Sequence, residues 1–270
     1  FIVEEMPEGA DPLDVRYNVI QWVHRSTRGW SYGASVTDPR TGEIIKGHVS
    51  LGSLRVRQDF LIAQGLLTPY ENGTTPDPRL LEMALARLRQ LSAHEVGHTI
   101  GLMHNYISST DGRTSVMDYP HPLIELNNGE ISLKNAYDVG IGEWDKAAIT
   151  WGYQDFPTNV NEDEALDDLI EGQIAEGLGF ITDSDSRPIG SSHPESHLWD
   201  NGESGWNELD RLMVVRKHVL EKFSEKNIPV GAPMATLEEV LVPMYMMHRY
   251  QLEAAVKSIA GTYYNYKLRG

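Results

Sequence analysis

Over its first sixty residues the chain alternates apolar and polar positions too quickly for a helix. VRYNVIQWV (15–23) sets Val15, Tyr17, Val19 and Gln21 against Arg16, Asn18, Ile20 and Trp22, the period of two that marks a strand. Both sets hold apolar residues, so this strand is expected to be covered on both faces. GWSYGASV leads into the Pro/Gly turn DPRTGE (38–43), and EIIKGHVSLGSLRVRQ follows as one or two further strands. Past the break TPYENGTTPDP (68–78) the period changes. Asp77 and Pro78 have the character of an N-cap and a first helical residue. From there Leu81, Ala84, Leu88, Leu91 and Val96 recur at helical spacing, and Gly101 is the expected stop. A loop over about 105–140 precedes an amphipathic helix at 142–153.

After Tyr153 the composition shifts. The acidic run NEDEALDDLIEG (161–172) reads as an exposed helix face, and 181–205, dense in Ser, Gly, Pro and Asp, reads as loop. One helix is expected near 206–225. Another should start at Thr236, in a capping box with Glu239, and run to Gly261 with Pro243 kinking it or marking its first turn. TYYNYKLRG closes the chain as a strand-like run. The pattern predicts an α+β protein: a sheet-and-helix unit over 1–155 and a mainly helical extension over 156–270, packed on the first.

Charge and cysteine content narrow the chemistry. Lys and Arg number 23 against 39 Asp and Glu, a formal net charge of −16, which repels phosphate backbones and anionic lipid and excludes nucleic acid as a natural partner. With no cysteine, any transition metal must be held by His and carboxylates. No apolar run approaches the roughly 20 residues that span a bilayer. The opening FIVEEMPEGADP has neither an initiator Met nor a basic-then-apolar leader, and the chain is expected to be a piece of a longer protein with further domains.

HEVGHTIGLMHN (94–105) concentrates the chemistry. His94 and His98, four apart, leave one helix face a turn from each other and can reach a single ion. Glu95 is rotated by about 100° from His94, beside such an ion rather than on it, where a carboxylate can take a proton from a zinc-activated water. A third ligand is needed, with the fourth position left to water. Gly101, through a positive φ, lets the backbone turn so that His104 returns towards the ion. A glutamate third ligand is the alternative, but Glu125 and Glu130 lie in turn-like sequence.

HEVGHTIGLMH matches the pattern H-E-x-x-H-x-x-G-x-x-H, and on these residues the chain resembles the metzincin zinc metallopeptidases. The resemblance implies a zincin catalytic domain with one catalytic Zn2+ on His94, His98 and His104, and Glu95 as general base. It also implies a methionine turn at Met117 in SVMDYP (115–120). Tyr119 follows two places later, where astacins and serralysins carry a metal-side Tyr that stabilises the oxyanion and pappalysins show a similar Met-Asp-Tyr. More widely, RYNVIQWVHRSTRGWSYGASVTDPRTGEIIKGHVSLGSLRVRQD with the zinc helix and SVMDY is similar to large exported bacterial metzincin-like proteins, implying an exported protein acting on polypeptides. In metzincins the edge strand before the zinc helix pairs with an extended substrate. HVSLGSLRV (48–56) is the candidate here, with His48, Val49, Ser50, Leu51 and Gly52 as substrate-binding positions, joined by His121 after the methionine turn.

His24, His218 and His248 read as bystanders. HPESHLWD offers His193, His197 and Asp200 at a spacing compatible with a second metal, but in a loop-like context that favours none. DSDS (183–186) lacks the Gly and terminal Glu of an EF-hand loop and reads as a solvated acidic loop. Two functions are open: a zinc peptidase, which the intact Glu95 favours because a structural zinc site needs no general base, or a catalytically silent zinc-binding module of a larger exported protein.

Overall fold

The computed structural model describes residues 2–26, 29–71, 73 and 75–267. Three strands form the larger sheet: β1 (Val19–Val23), β2 (Tyr32–Thr37) and β3 (Ile44–Gly52). Their order is β1-β3-β2. β3 runs parallel to β1, with Val19 opposite His48 and Val23 opposite Gly52. It runs antiparallel to β2, with Gly33 opposite Val49. The DPRTGE turn closes the β2–β3 hairpin through Asp38 N–H to Glu43 O at 2.9 Å.

Two expectations fail in this sheet. β3 is interior, hydrogen-bonded on both sides, so His48, Val49, Ser50, Leu51 and Gly52 offer no free edge to a peptide. Pairing is a long-range choice that the local pattern of a strand does not encode. Nor is β1 covered on both faces: Ile20 and Trp22 are 46% and 41% exposed. Val49 and Leu51, the register partners of Ile20 and Trp22 on that same face, are buried where they meet Leu91, with Leu88 and Val96 alongside.

SLRVRQ, expected as strand, instead opens helix α1 (Ser53–Leu67). Leu54 and Val56 alternate like a strand, but Asp59, Ala63 and Leu66 are buried at helical spacing and decide the segment. Helix α2 (Pro78–Thr99) begins as expected, with the Asp77 carboxylate accepting from Arg79 N–H at 2.9 Å. Its buried stripe runs through Leu80, Met83, Ala84, Arg87, Leu91 and His94, whereas Leu81 is 56% exposed. The loop after α2 carries a small hairpin, β4 (Glu125–Asn127) with β5 (Glu130–Ser132), and leads to α3 (Glu143–Tyr153).

Five helices follow: α4 (Glu162–Ala175), the single turn α5 (Asp183–Ser186), α6 (Gly205–Lys222), α7 (Thr236–Tyr245) and α8 (Arg249–Lys257). α4 buries no residue, in keeping with its acidic composition. The long helix expected from Thr236 to Gly261 is divided into α7 and α8, with Pro243 inside α7. The capping box is absent, because the N-cap is Ala235 and the Thr236 hydroxyl donates to Pro233 O at 2.6 Å. Residues 261–267 form no strand, and 268–270, the end of that expected run, lie outside the described residues. The main core joins Ala63 and Leu66 of α1, Leu80 and Met83 of α2, Ile124 and Tyr137 of the intervening loop, Leu212 and Val215 of α6, and Met244 of α7. Chain from both sides of residue 155 thus builds one core. Among the described residues no helix is long and apolar enough to cross a membrane.

Candidate metal centre

The last two turns of α2 carry His94 and His98. The helix then ends sharply: Gly101 takes φ +91, and Leu102 N–H donates to Gly97 O at 3.0 Å. This conformation suits glycine, and it turns the chain so that His104 faces the helix it has just left. Each imidazole is fixed through Nδ1, from His94 to Val116 O at 2.7 Å, His98 to Leu102 O at 2.9 Å and His104 to Asp183 Oδ2 at 2.8 Å. A carbonyl or an ionised carboxylate can only accept, so each Nδ1 carries the proton and each Nε2 presents a bare lone pair.

Those lone pairs converge. His98 Nε2 lies 3.2 Å from His94 Nε2 and 3.1 Å from His104 Nε2. Tetrahedral zinc with Zn–N near 2.0–2.1 Å separates its ligands by about 3.3 Å. Three lone pairs this close repel one another unless a cation lies between them, so the donor set fits zinc. Burial holds the pKa of His94 well below the usual histidine value and lowers that of His104, keeping both rings in the neutral form that binds metal. Among the described residues this is the one group of three or more His, Cys or carboxylate ligand atoms within mutual reach of an ion. Glu125 and Glu130 lie apart from it in the β4–β5 hairpin.

Glu95 is buried beside the histidines, and burial raises its pKa to about 7, against opposing pulls from the Gly33 N–H and the Arg87 guanidinium. The Gly33 contact is tight. Any side chain at Gly33 would overlap the Glu95 carbonyl, so β2, an edge of the sheet, lies directly on the helix at this residue.

Met117 is fully buried, its Sδ against Gly97 of α2. Asp145 of α3 holds the loop beneath the helix, accepting from Ser115 Oγ at 2.6 Å and Val116 N–H at 2.8 Å. Gln90, one turn before His94, donates to the same Val116 carbonyl at 3.0 Å. Tyr119 follows, its ring centroid 5.6 Å from that of His94 and 4.8 Å from that of His104.

Several neighbours escape sequence reasoning. Asp183, the partner of His104, belongs to DSDS, so the expected solvated loop is a helical turn inserted at the centre. Its carboxylate also accepts from the Tyr106 hydroxyl at 3.3 Å and Arg187 Nη1 at 3.0 Å. Arg187 in turn lies over the Tyr119 ring at 5.7 Å, and Trp199 packs against that ring at a tilt of 35°, centroids 5.0 Å apart. No spacing rule links residues 183–199 to a motif at 94–104. Only the acidic character of DSDS was visible.

The other expected positions lie elsewhere. His121 is among Arg55, Arg113 and Arg211, with burial lowering its pKa to about 4. His193 contacts Tyr264 O and His197 contacts Glu253, while Asp200 lies near Asp118; the three do not converge on a metal. His24 packs edge-on against Trp22.

No curated protein and no solved structure matches the chain. A family described as Met-zincin matches residues 76–270, from the approach to α2 through the C-terminal helices. The span takes in all three histidines, Glu95, Met117 and Asp183, and with it the chain belongs to the Met-zincin family, whose metzincin-type zinc metallopeptidase domain it carries.

Proposed function

We propose that this domain hydrolyses peptide bonds within polypeptides, as a zinc endopeptidase. The observation that carries the reading is the pairing of three proton-locked imidazoles with a buried carboxylate, Glu95, that is not one of the three converging groups. A purely structural zinc site fills its positions with protein ligands and has no use for such a base.

Zinc held by His94, His98 and His104 supplies a Lewis acid and lowers the pKa of a water to ~7. Glu95 takes the proton from the attacking water, and its own raised pKa, about 7, suits it to both accept and release that proton near neutrality. It then delivers the proton to the departing amine nitrogen as the C–N bond breaks. The Tyr119 hydroxyl donates to the oxygen that gains negative charge. Met117 fills the floor against Gly97, and β2, not β3, offers a sheet edge beside Glu95 along which an extended peptide can pair.

The test is a peptide-library digest by the zinc-loaded protein, with Glu95→Gln as control. Turnover is expected to fall by about 10²–10⁴-fold in the variant, the usual worth of a positioned general base, with zinc content unchanged. Zinc binding without cleavage by the wild-type protein would favour a silent zinc-binding module. Cleavage retained by a zinc-replete Glu95→Gln protein would remove Glu95 from the mechanism.

A further inference from the structure

Behind the Met117 loop, away from the converging histidines, lies a cavity of about 280 Å³ lined by Gln90, Ser109, Asp118 and Asp200, with Arg113 and Tyr137 among its other walls. Gln90 Oε1, Ser109 Oγ and Asp200 Oδ1 are all buried and have no hydrogen-bond partner among the described residues. Gln90 and Ser109 are only 6% and 4% exposed. The Gln90 amide cannot simply be reversed, because its Nε2 donates to Val116 O, and reversal would set oxygen against oxygen. Leaving such groups unmet costs about 1–3 kcal/mol each; Gln90 Oε1 and an ionised Asp200 oxygen can only accept, so the cavity calls for an occupant that donates or is positive.

The two carboxylates sharpen the requirement. Asp118 accepts from Ser108 Oγ at 3.1 Å and Tyr119 N–H at 2.6 Å, but neither Asp118 nor Asp200 forms an ion pair among the described residues. The nearby cations are committed elsewhere. Arg113 donates to Asn201 Oδ1 and to the carbonyls of Asn135, Ala136 and His121, and Lys257 donates to those of Ser186 and Ser196. Burial raises the pKa of both acids, and the charge of Asp118 raises that of Asp200 further, against smaller opposing pulls from Arg113 on Asp118 and Lys257 on Asp200.

We propose that this cavity binds a hard divalent cation, of which calcium is the type, through carboxylate oxygens of Asp118 and Asp200, Gln90 Oε1 and Ser109 Oγ. An all-oxygen set with two carboxylates and room for water is calcium chemistry, whereas the neutral nitrogens of the histidine centre are not. Asp118 comes from the loop beneath α2 and Asp200 from the segment whose Trp199 N–H donates to Tyr119 O at 2.9 Å. The ion therefore cross-links the Met117 loop to the chain that follows α5.

The test titrates calcium alone into zinc-loaded protein by calorimetry, with metal analysis of each variant. The wild type is expected to take up one calcium per chain, with a Kd of about 10⁻³ M or tighter. Its Tm should rise by about 5 °C at a hundred-fold excess over Kd. Asp200→Asn and Asp118→Asn should each weaken calcium at least ten-fold while zinc stays at one per chain. If either variant fails to fold, Ser109→Ala, which removes an oxygen no protein group engages, should still lower calcium affinity several-fold. Absence of stoichiometric binding up to about 10 mM, well above the range of extracellular calcium modules, would overturn the proposal and leave the cavity to water. Wild-type affinity in Asp200→Asn or Ser109→Ala would do the same for the location. Neither readout depends on peptidase activity.

Discussion

The first two histidines and the third are held in different ways. His94 and His98 lean on main-chain carbonyls of Val116 and Leu102, supplied by the same helix end and the loop directly under it. His104 leans on a side chain, Asp183, 79 positions away, which reaches the centre on a single helical turn. Main-chain support follows from the fold and no substitution deletes it. Side-chain support can be removed by one mutation. The centre therefore has a durable side and a vulnerable one, and Tyr119 lies where they meet, between His94 and His104 on one flank and Trp199 and Arg187 on the other.

Three substitutions sharpen this contrast. Tyr119→Phe should have the largest effect, lowering kcat by about 10²–10³-fold, the usual worth of one oxyanion donor, with zinc affinity intact; wild-type kinetics would sink its role. Asp183→Ala comes next. Loss of the carboxylate that orients a ligating histidine should weaken zinc by about 10–100-fold, measured by competition with a chelator. An unchanged zinc Kd would mean that His104 is held as firmly as its two partners, and the contrast would collapse. The smallest effect belongs to Arg187→Gln, which removes a half-exposed ion pair with Asp183 and the contact over Tyr119. A stability loss of about 1 kcal/mol or less is expected, read from denaturant unfolding of the zinc-loaded protein. A loss as large as that of a buried ion pair would show that Arg187, rather than Asp183, anchors this side.

The same contrast explains what the sequence could disclose. His94, His98, Gly101 and His104 were legible because a helix fixes the direction of residues four apart and a glycine stop announces itself locally. The start of α2 at Asp77 and Pro78 was legible for the same reason. The central position of β3 was not, because every strand-like run looks alike until its neighbours are known, and the hydrogen bonds that make β3 interior come from residues 19–23 and 32–37. α1 hid behind two alternating residues, Leu54 and Val56, before its helical stripe began. At Thr236 the motif for a cap was present, yet the helix begins one residue earlier and the hydroxyl turns back to Pro233. Asp183 was hidden most completely: its partner is a histidine on another segment, and nothing in Asp-Ser-Asp-Ser encodes that distance.

The long reach from His104 to Asp183 also sets an order of events during synthesis. A growing polypeptide exposes all three converging imidazoles well before the residue that aims the last of them has been made. Zinc held as proposed would therefore reach its full affinity only late in translation, after the turn at 183–186 has been made and has docked.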